Sequence, residues 1–195
     1  ILCVCIKWII MILQSAINQV IETQKANLLK KDPGLKRDAL VTLPDLSAFA
    51  LIVSGIRRCG KSTLLFQLLT ERYPDALYLN FEDPRLYEFG PTDFARLDAL
   101  IKASGSNVLF FDEIQECPEA LVALRYFKEK MPSLHLIAAG SLLEFILHDE
   151  KFSFPVGRVQ FLYMKPLSFS EFLLNLKQDQ LLSAALENQN HGKNT

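Results

Sequence analysis

The sequence predicts an α/β fold: a mainly parallel five-stranded sheet with helices on both faces. Two observations carry this reading. After residue 45, short apolar runs alternate with amphipathic stretches of helix length, the pattern of a parallel sheet joined by crossover helices. The run Asn107–Phe111 is near-continuously apolar, as a strand covered on both faces must be. Composition agrees. The chain has 195 residues, of which 50% are hydrophobic and 22% charged, so a sizeable core is available and a wholly disordered chain is ruled out.

The elements follow in order. Ile17, Val20, Ile21 and Leu28 fall near helical spacing, and that helix stops at Asp32-Pro33-Gly34. Phe49–Val53 reads as the first strand, followed by a glycine-rich turn and a helix over Lys61–Arg72. Ala76–Asn80 reads as the second strand. Thr92 is placed to cap a helix whose Phe94, Leu97, Leu100 and Ile101 share one face. Asn107–Phe111 is the third strand, and Pro118 opens a helix with Leu121, Leu124 and Phe127 on one stripe. His135–Ala139 is the fourth strand, Leu142–His148 a short helix and Val159–Met164 the fifth strand. Ser168 and Glu171 form a capping box for a last helix running towards Leu186. Three regions result: residues 1–45, an apolar segment and helix with a linker; residues 46–187, the α/β domain; and residues 188–195, a polar tail.

Charge and cysteine content narrow the function. Formal net charge is −1, so no global basic field exists for nucleic acid. Residues 1–72 nevertheless carry 10 Lys and Arg against 5 Asp and Glu, whereas residues 73–195 carry 11 against 17. The basic stretch is where an anion belongs. Cys3, Cys5, Cys59 and Cys117 form no C-x-x-C pair, which argues against a zinc site or disulfide framework and for a reducing, cytoplasmic compartment. Ile1–Leu13 is apolar apart from Lys7, but is too short for a membrane span of about 20 residues. It also lacks a basic n-region and a good cleavage site. It reads as a segment leading into the next helix, a remnant of a longer apolar helix or of a signal segment being the alternative. The chain begins with Ile rather than Met, as a fragment or processed product would.

Gly55-Ile56-Arg57-Arg58-Cys59-Gly60-Lys61-Ser62 fits G-x-x-x-x-G-K-[ST] at every fixed position, between a strand and a helix. Glycines let the backbone wrap phosphate oxygens closely, and successive N–H groups at a helix N-terminus point at the anion. Lys61 then reaches the β- and γ-phosphates, Ser62 ligates Mg²⁺ and Thr63 completes the loop. Arg57 and Arg58 either add charge near the nucleotide or lie solvated. Cys59 reads as a small loop residue. Val108–Phe111 ends in Asp112-Glu113, the Walker B pattern. Asp112 is the candidate Mg²⁺ ligand and Glu113 the group that orients the attacking water. No N-K-x-D base-reading motif is present, which argues against a GTPase.

The extra strand between these two motifs resembles the additional-strand, catalytic-glutamate division of P-loop ATPases. That likeness implies a three-layer sandwich with strand order 5-1-4-3-2. Taken in order, Gly55–Thr63, Leu79–Arg85, Phe110–Gln115, Gly140-Ser141, Gly157-Arg158 and Pro166–Phe172 resemble the AAA+-like ATPases of bacteria and archaea whose ATPase domain precedes a C-terminal domain of unknown function. The resemblance covers roughly residues 17–175, and this sequence does not include that C-terminal domain. It implies roles by position. Asn80 would contact the catalytic glutamate, or merely terminate its strand. Ser141 would contact the γ-phosphate or water, or cap the helix from Leu142. Arg158 would be an arginine finger acting on a neighbouring subunit of a homo-oligomer, or a surface arginine.

These readings give Mg²⁺-dependent ATP hydrolysis by an AAA+-like domain, with Lys61, Glu113 and Arg158 catalytic. The alternative is a nucleotide-dependent switch that recruits a protein or DNA partner with little hydrolysis of its own. A small-molecule kinase fits the Asp-Glu pair less well. No helix-turn-helix or basic stripe marks a DNA surface. His135 and His148 lack metal-ligand spacing.

Overall fold

A computed structural model describes residues 14–141 and 157–175 of the chain. The helix expected at Leu142–His148, the segment Ile1–Leu13, the run of the last helix towards Leu186 and the polar tail lie outside the described residues.

Five parallel strands form one sheet: β1 (Ala50–Gly55), β2 (Leu77–Asn80), β3 (Val108–Asp112), β4 (His135–Ser141) and β5 (Val159–Met164). Their order is β2-β3-β4-β1-β5, the expected order read from the other edge. Among the described residues, five α-helices accompany them: α1 (Gln14–Leu28), α2 (Lys61–Glu71), α3 (Pro91–Ser104), α4 (Glu119–Lys130) and α5 (Phe169–Asn175). Because every strand runs the same way, all the strand C-termini share one edge of the sheet. Register puts Gly55 beside Ser141 and Asn80 beside Asp112 on that edge.

Strand alternation divides the core into two layers. Ile52, Leu79, Leu109, Phe111, Leu136 and Ala138 pack on α1, α3 and α4. Leu51, Val53, Tyr78, Phe110, Ile137 and Ala139 pack on α2 and on Leu40 and Leu46 of the linker. β3 is buried at every residue, which is why it reads as a continuous apolar run. Phe111 lies in tilted or edge contact with Phe81, Phe94 and Phe127, geometries that aromatic quadrupoles favour.

Among the described residues the expected elements are present with shifted ends. The strand read as Phe49–Val53 continues through Ser54 and Gly55, because both still pair with β4 and β5. Thr92 does not cap α3. Gly90 occupies that place, Pro91 opens the helix with its preset φ, and the Asp93 carboxylate accepts the Gly90 N–H at 3.1 Å. Ser168 and Glu171 do form the capping box, with reciprocal bonds of 3.1 and 2.8 Å.

Three polar side chains tie these layers together. The Gln24 carboxamide of α1 accepts the Asn80 N–H at 2.8 Å and donates to the Asn80 carbonyl at 3.0 Å, covering the edge of β2 as a further strand would. The buried Lys128 ammonium donates to the carbonyls of Leu46, Ser47 and Leu134, fastening α4 to the segment before β1. Arg37, in the linker, is 6% exposed and pairs through Nε with Glu171 Oε1 at 3.0 Å.

Burial pushes the Glu171 carboxyl up, but N–H groups of Ser168 and Asp38 and the Arg37 guanidinium outweigh it and hold it at about 2. A depressed carboxylate contributes stability above its unfolded pKa and loses it as pH falls towards the folded value. Glu171→Gln is therefore expected to cost about 3 kcal/mol at pH 7, read from urea unfolding. Roughly half of that difference should remain at pH 3, since the native chain loses the same contribution between about pH 4.5 and 2.

Candidate functional site

The loop between β1 and α2 is shaped by two glycines. Gly60 has φ 96° and ends the loop as the residue before α2. A Cβ there would lie 2.6 Å from Arg37 Nη1, so Gly60 is required both by conformation and by the guanidinium beside it. A Cβ on Gly55 would collide with the Met164 carbonyl oxygen of β5. Leu64 N–H makes the first helical bond, to Gly60 O at 2.9 Å. The N–H groups of Lys61, Ser62 and Thr63 precede that bond and point out of the helix N-terminus, the geometry that favours an anion.

A cavity of about 350 Å³ opens in front of these groups. Arg57, Arg58, Gly60, Lys61, Ser62 and Thr63 line it, with Glu82 and Glu113 opposite. Lys61 is 5% exposed, and its ammonium donates to the carbonyls of Gly55 at 3.2 Å and Ile56 at 2.9 Å. It is held inside the loop and must leave those carbonyls to meet a bound anion. Arg57 and Arg58 are exposed; Arg57 lies 3.9 Å from Glu82 in a solvated pair of small energetic weight. Ile56 is exposed and Cys59 buried.

Asp112 adjoins two residues that line this cavity, Ser62 and Glu113. It is 1% exposed, and three groups donate to it: Tyr78 Oη at 2.7 Å, Ser62 Oγ at 3.4 Å and the Glu113 N–H at 3.0 Å. Burial pushes its carboxyl up to about 6, the Tyr78 bond opposes this, and the Glu113 charge adds to it. The Tyr78 phenol is raised above its ordinary range by its own burial and by Asp112. Among the described residues, no group of three or more His, Cys, Asp and Glu could hold a metal alone. Ser62 and Asp112 instead present hard oxygens side by side. That donor set suits Mg²⁺, which takes one or two protein oxygens and completes its shell with water and phosphate.

Glu113 adopts the left-handed region, with φ 50°, a conformation that costs a non-glycine residue of order 1 kcal/mol or more. Its Oε2 accepts from Gln115 Nε2 at 2.6 Å, and Gln115 Oε1 accepts the Ser141 N–H at 3.0 Å. The Asn80 Oδ1 accepts the Glu82 N–H at 2.8 Å, a local bond within the chain turn after β2. Ser141 ends β4 beside Gly55 and is buried. Arg158 is exposed at the start of β5, where its carbonyl accepts the Ala50 N–H. The six residues of β5 separate it from the loop end of the sheet by roughly 20 Å, so it does not reach its own chain's cavity.

Sequence reasoning missed Tyr78, Gln115 and Arg37. Tyr78 passes for an ordinary strand aromatic. Gln115 belongs to the family-like segment but carries no motif. Arg37 donates through Nη1 to Cys59 O at 2.5 Å and through Nη2 to Lys165 O at 2.8 Å, contacts that no local pattern announces.

A parallel sheet of this order, with a glycine-rich loop opening α2 and an Asp-Glu pair on β3, defines a P-loop NTPase of the AAA+ type. Residues 47–173 match a family model described as an AAA domain, and the chain belongs to that AAA-domain family. It is a nucleotide-binding, ATPase-like domain. The chain is 30% identical over 124 residues to an uncharacterised protein of Methanocaldococcus jannaschii, a match that covers 63% of this chain and 27% of that protein. It is similar in fold to Hsp104, solved by cryo-electron microscopy in a closed state with ATPγS and FITC casein. The TM-score is 0.50 and the identity 16%, over 83% of this chain and 32% of the Hsp104 chain. Among the described residues, no helix is long and apolar enough to cross a membrane.

The raised Asp112 carboxyl has a measurable consequence. Ionised at pH 7.5, it burdens the metal-free fold; the burden is full above about pH 6 and vanishes below about pH 4. Asp112→Asn keeps the Tyr78 bond and removes the charge. It is expected to raise metal-free stability at pH 7.5 by up to about 3 kcal/mol in urea unfolding. The gain should shrink as pH falls through 6.

Proposed function

We propose that this domain binds Mg·ATP and hydrolyses its β–γ phosphoanhydride. The observation that carries the reading is the cavity lined by Lys61, Ser62 and Glu113, where Asp112 at the end of β3 accepts from both Ser62 Oγ and the Glu113 N–H, so that the head of α2 and the tip of β3 converge. The N–H groups at the start of α2 would receive the phosphates. Lys61, exchanging the Gly55 and Ile56 carbonyls for phosphate oxygens, would neutralise charge at the β- and γ-groups. Ser62 and Asp112 would hold Mg²⁺, which when bound draws charge from the phosphate oxygens. Tyr78 would keep the Asp112 carboxylate oriented, as hydrogen-bonded neighbours of metal ligands do. Glu113 would accept from the attacking water and set its line of approach. Phosphoryl transfer asks little else of a protein, because positioning and electrostatics supply most of the rate.

Arg158 supports a second element of the proposal. Its distance from its own cavity leaves it free to serve only a neighbouring copy, and an arginine finger acts by neutralising charge on the transferring group. Turnover would then rise with protein concentration as copies associate.

Glu113→Gln separates binding from chemistry. The variant is expected to bind Mg·ATP within about threefold of the native chain by calorimetry. Its phosphate release should fall by about 100-fold or more, as loss of a water-orienting group requires. Native turnover in the variant would remove Glu113 from the mechanism.

A further inference from the structure

Gln115 lies in the 3-10 turn Ile114–Glu116, one residue beyond a fully buried Ile114 that anchors the turn in the core. Both ends of its carboxamide are engaged. The Nε2 donates to Glu113 Oε2 at 2.6 Å, and Oε1 accepts the backbone N–H of Ser141 at 3.0 Å. These partners fix which end of the amide is which, since a carboxylate takes only the donor and an N–H only the acceptor. Ser141 in turn pairs in register with Gly55, the first glycine of the loop. A continuous set of contacts therefore runs from the loop strand, through the end of β4 and one side-chain amide, to the Glu113 carboxylate.

We propose that Gln115 is a positioning residue for Glu113. It holds one carboxylate oxygen and leaves Oε1 directed to the reaction. This inference rests on the reading of Glu113 as the group that orients water. The physical case has three parts. Glu113 springs from a left-handed residue at the end of β3, where its backbone direction is set but its long side chain is not. A glutamate side chain has several rotatable bonds, and one strong hydrogen bond to its tip removes most of that freedom. The donor is also neutral. A lysine or arginine in its place would fix the carboxylate equally well and weaken it as a proton acceptor, whereas an amide orients without adding charge. Because the amide is braced by a backbone N–H of β4, displacement of that strand end moves Glu113 as well.

The test uses this chain in native form and as Gln115→Ala, Gln115→Met, Glu113→Gln and the double variant Glu113→Gln with Gln115→Ala. Single-turnover hydrolysis of γ-labelled Mg·ATP is measured over a range of protein concentrations, with calorimetric Mg·ATP binding alongside. Gln115→Ala and the shape-preserving Gln115→Met should each lose about 10- to 100-fold in the hydrolysis step. Nucleotide affinity should stay within about threefold, and the double variant should be no slower than Glu113→Gln alone, because residues acting as a unit are not additive. Native rates in both Gln115 variants, or a full further loss in the double variant, overturn the proposal while leaving the role of Glu113 intact. A parallel loss of affinity marks a general structural role and overturns it too. A native chain that binds Mg·ATP without hydrolysing it at any concentration overturns the role of Glu113, and that of Gln115 with it.

Discussion

The buried guanidinium of Arg37 is the contact on which the rest of the site depends. It lies against Gly60, where no side chain would fit, and takes the carbonyl of Cys59 in the middle of the glycine-rich loop. Its other nitrogens reach Lys165 O, just beyond β5, and Glu171, the capping residue of α5. One side chain thus joins the linker before the sheet, the anion loop and the segment that leaves the sheet. An arginine suits this task because its donors are fixed in a plane and its charge is never lost. The arrangement also carries a penalty if it is broken. With Glu171 neutralised, a buried cation remains without its counter-charge, and the loop loses the brace that holds its carbonyl outward.

Stability and the proposed function pull against each other at the tip of β3. Asp112 is buried, crowded by Glu113 and raised to about 6, so an ionised carboxylate there works against the metal-free fold. Glu113 adds a left-handed backbone. Natural structures keep such burdens where chemistry needs them and offset them through the surrounding core. Here the offset comes from β3, all of whose residues are buried, and from the Phe81, Phe94, Phe111 and Phe127 cluster beneath the site. A rigid strand is what allows two carboxylates at its tip to be held in set directions.

The fold was largely legible in the sequence, and so were the residues of the proposed site that carry a motif. Gly55–Ser62 and Asp112-Glu113 could be read because the nucleotide site proposed for them would demand particular residue types at set positions along the chain. The apolar run of β3 and the stripe on α4 are legible because burial imposes a period. What escaped were contacts made across the chain. Arg37 stands 22 residues before the carbonyl it holds and 134 before the carboxylate it pairs with, and nothing local distinguishes it from Lys36. Tyr78 is an aromatic in a buried strand, and its hydroxyl matters only because β2 lies beside β3. The start of α3 was misjudged because Thr92 is a good cap in general, while Pro91 sets the first helical residue earlier in this chain.

The proposed function depends most on whether the loop at the head of α2 is a working anion site completed by Lys61. Calorimetric titration of Mg·ATP into this chain and into Lys61→Ala tests it most directly. One nucleotide is expected to bind per native chain, and affinity to fall by about 100-fold or more in the variant, as for loss of a desolvated charge on phosphate. Equal binding by the two proteins, or none by the native chain, would contradict it.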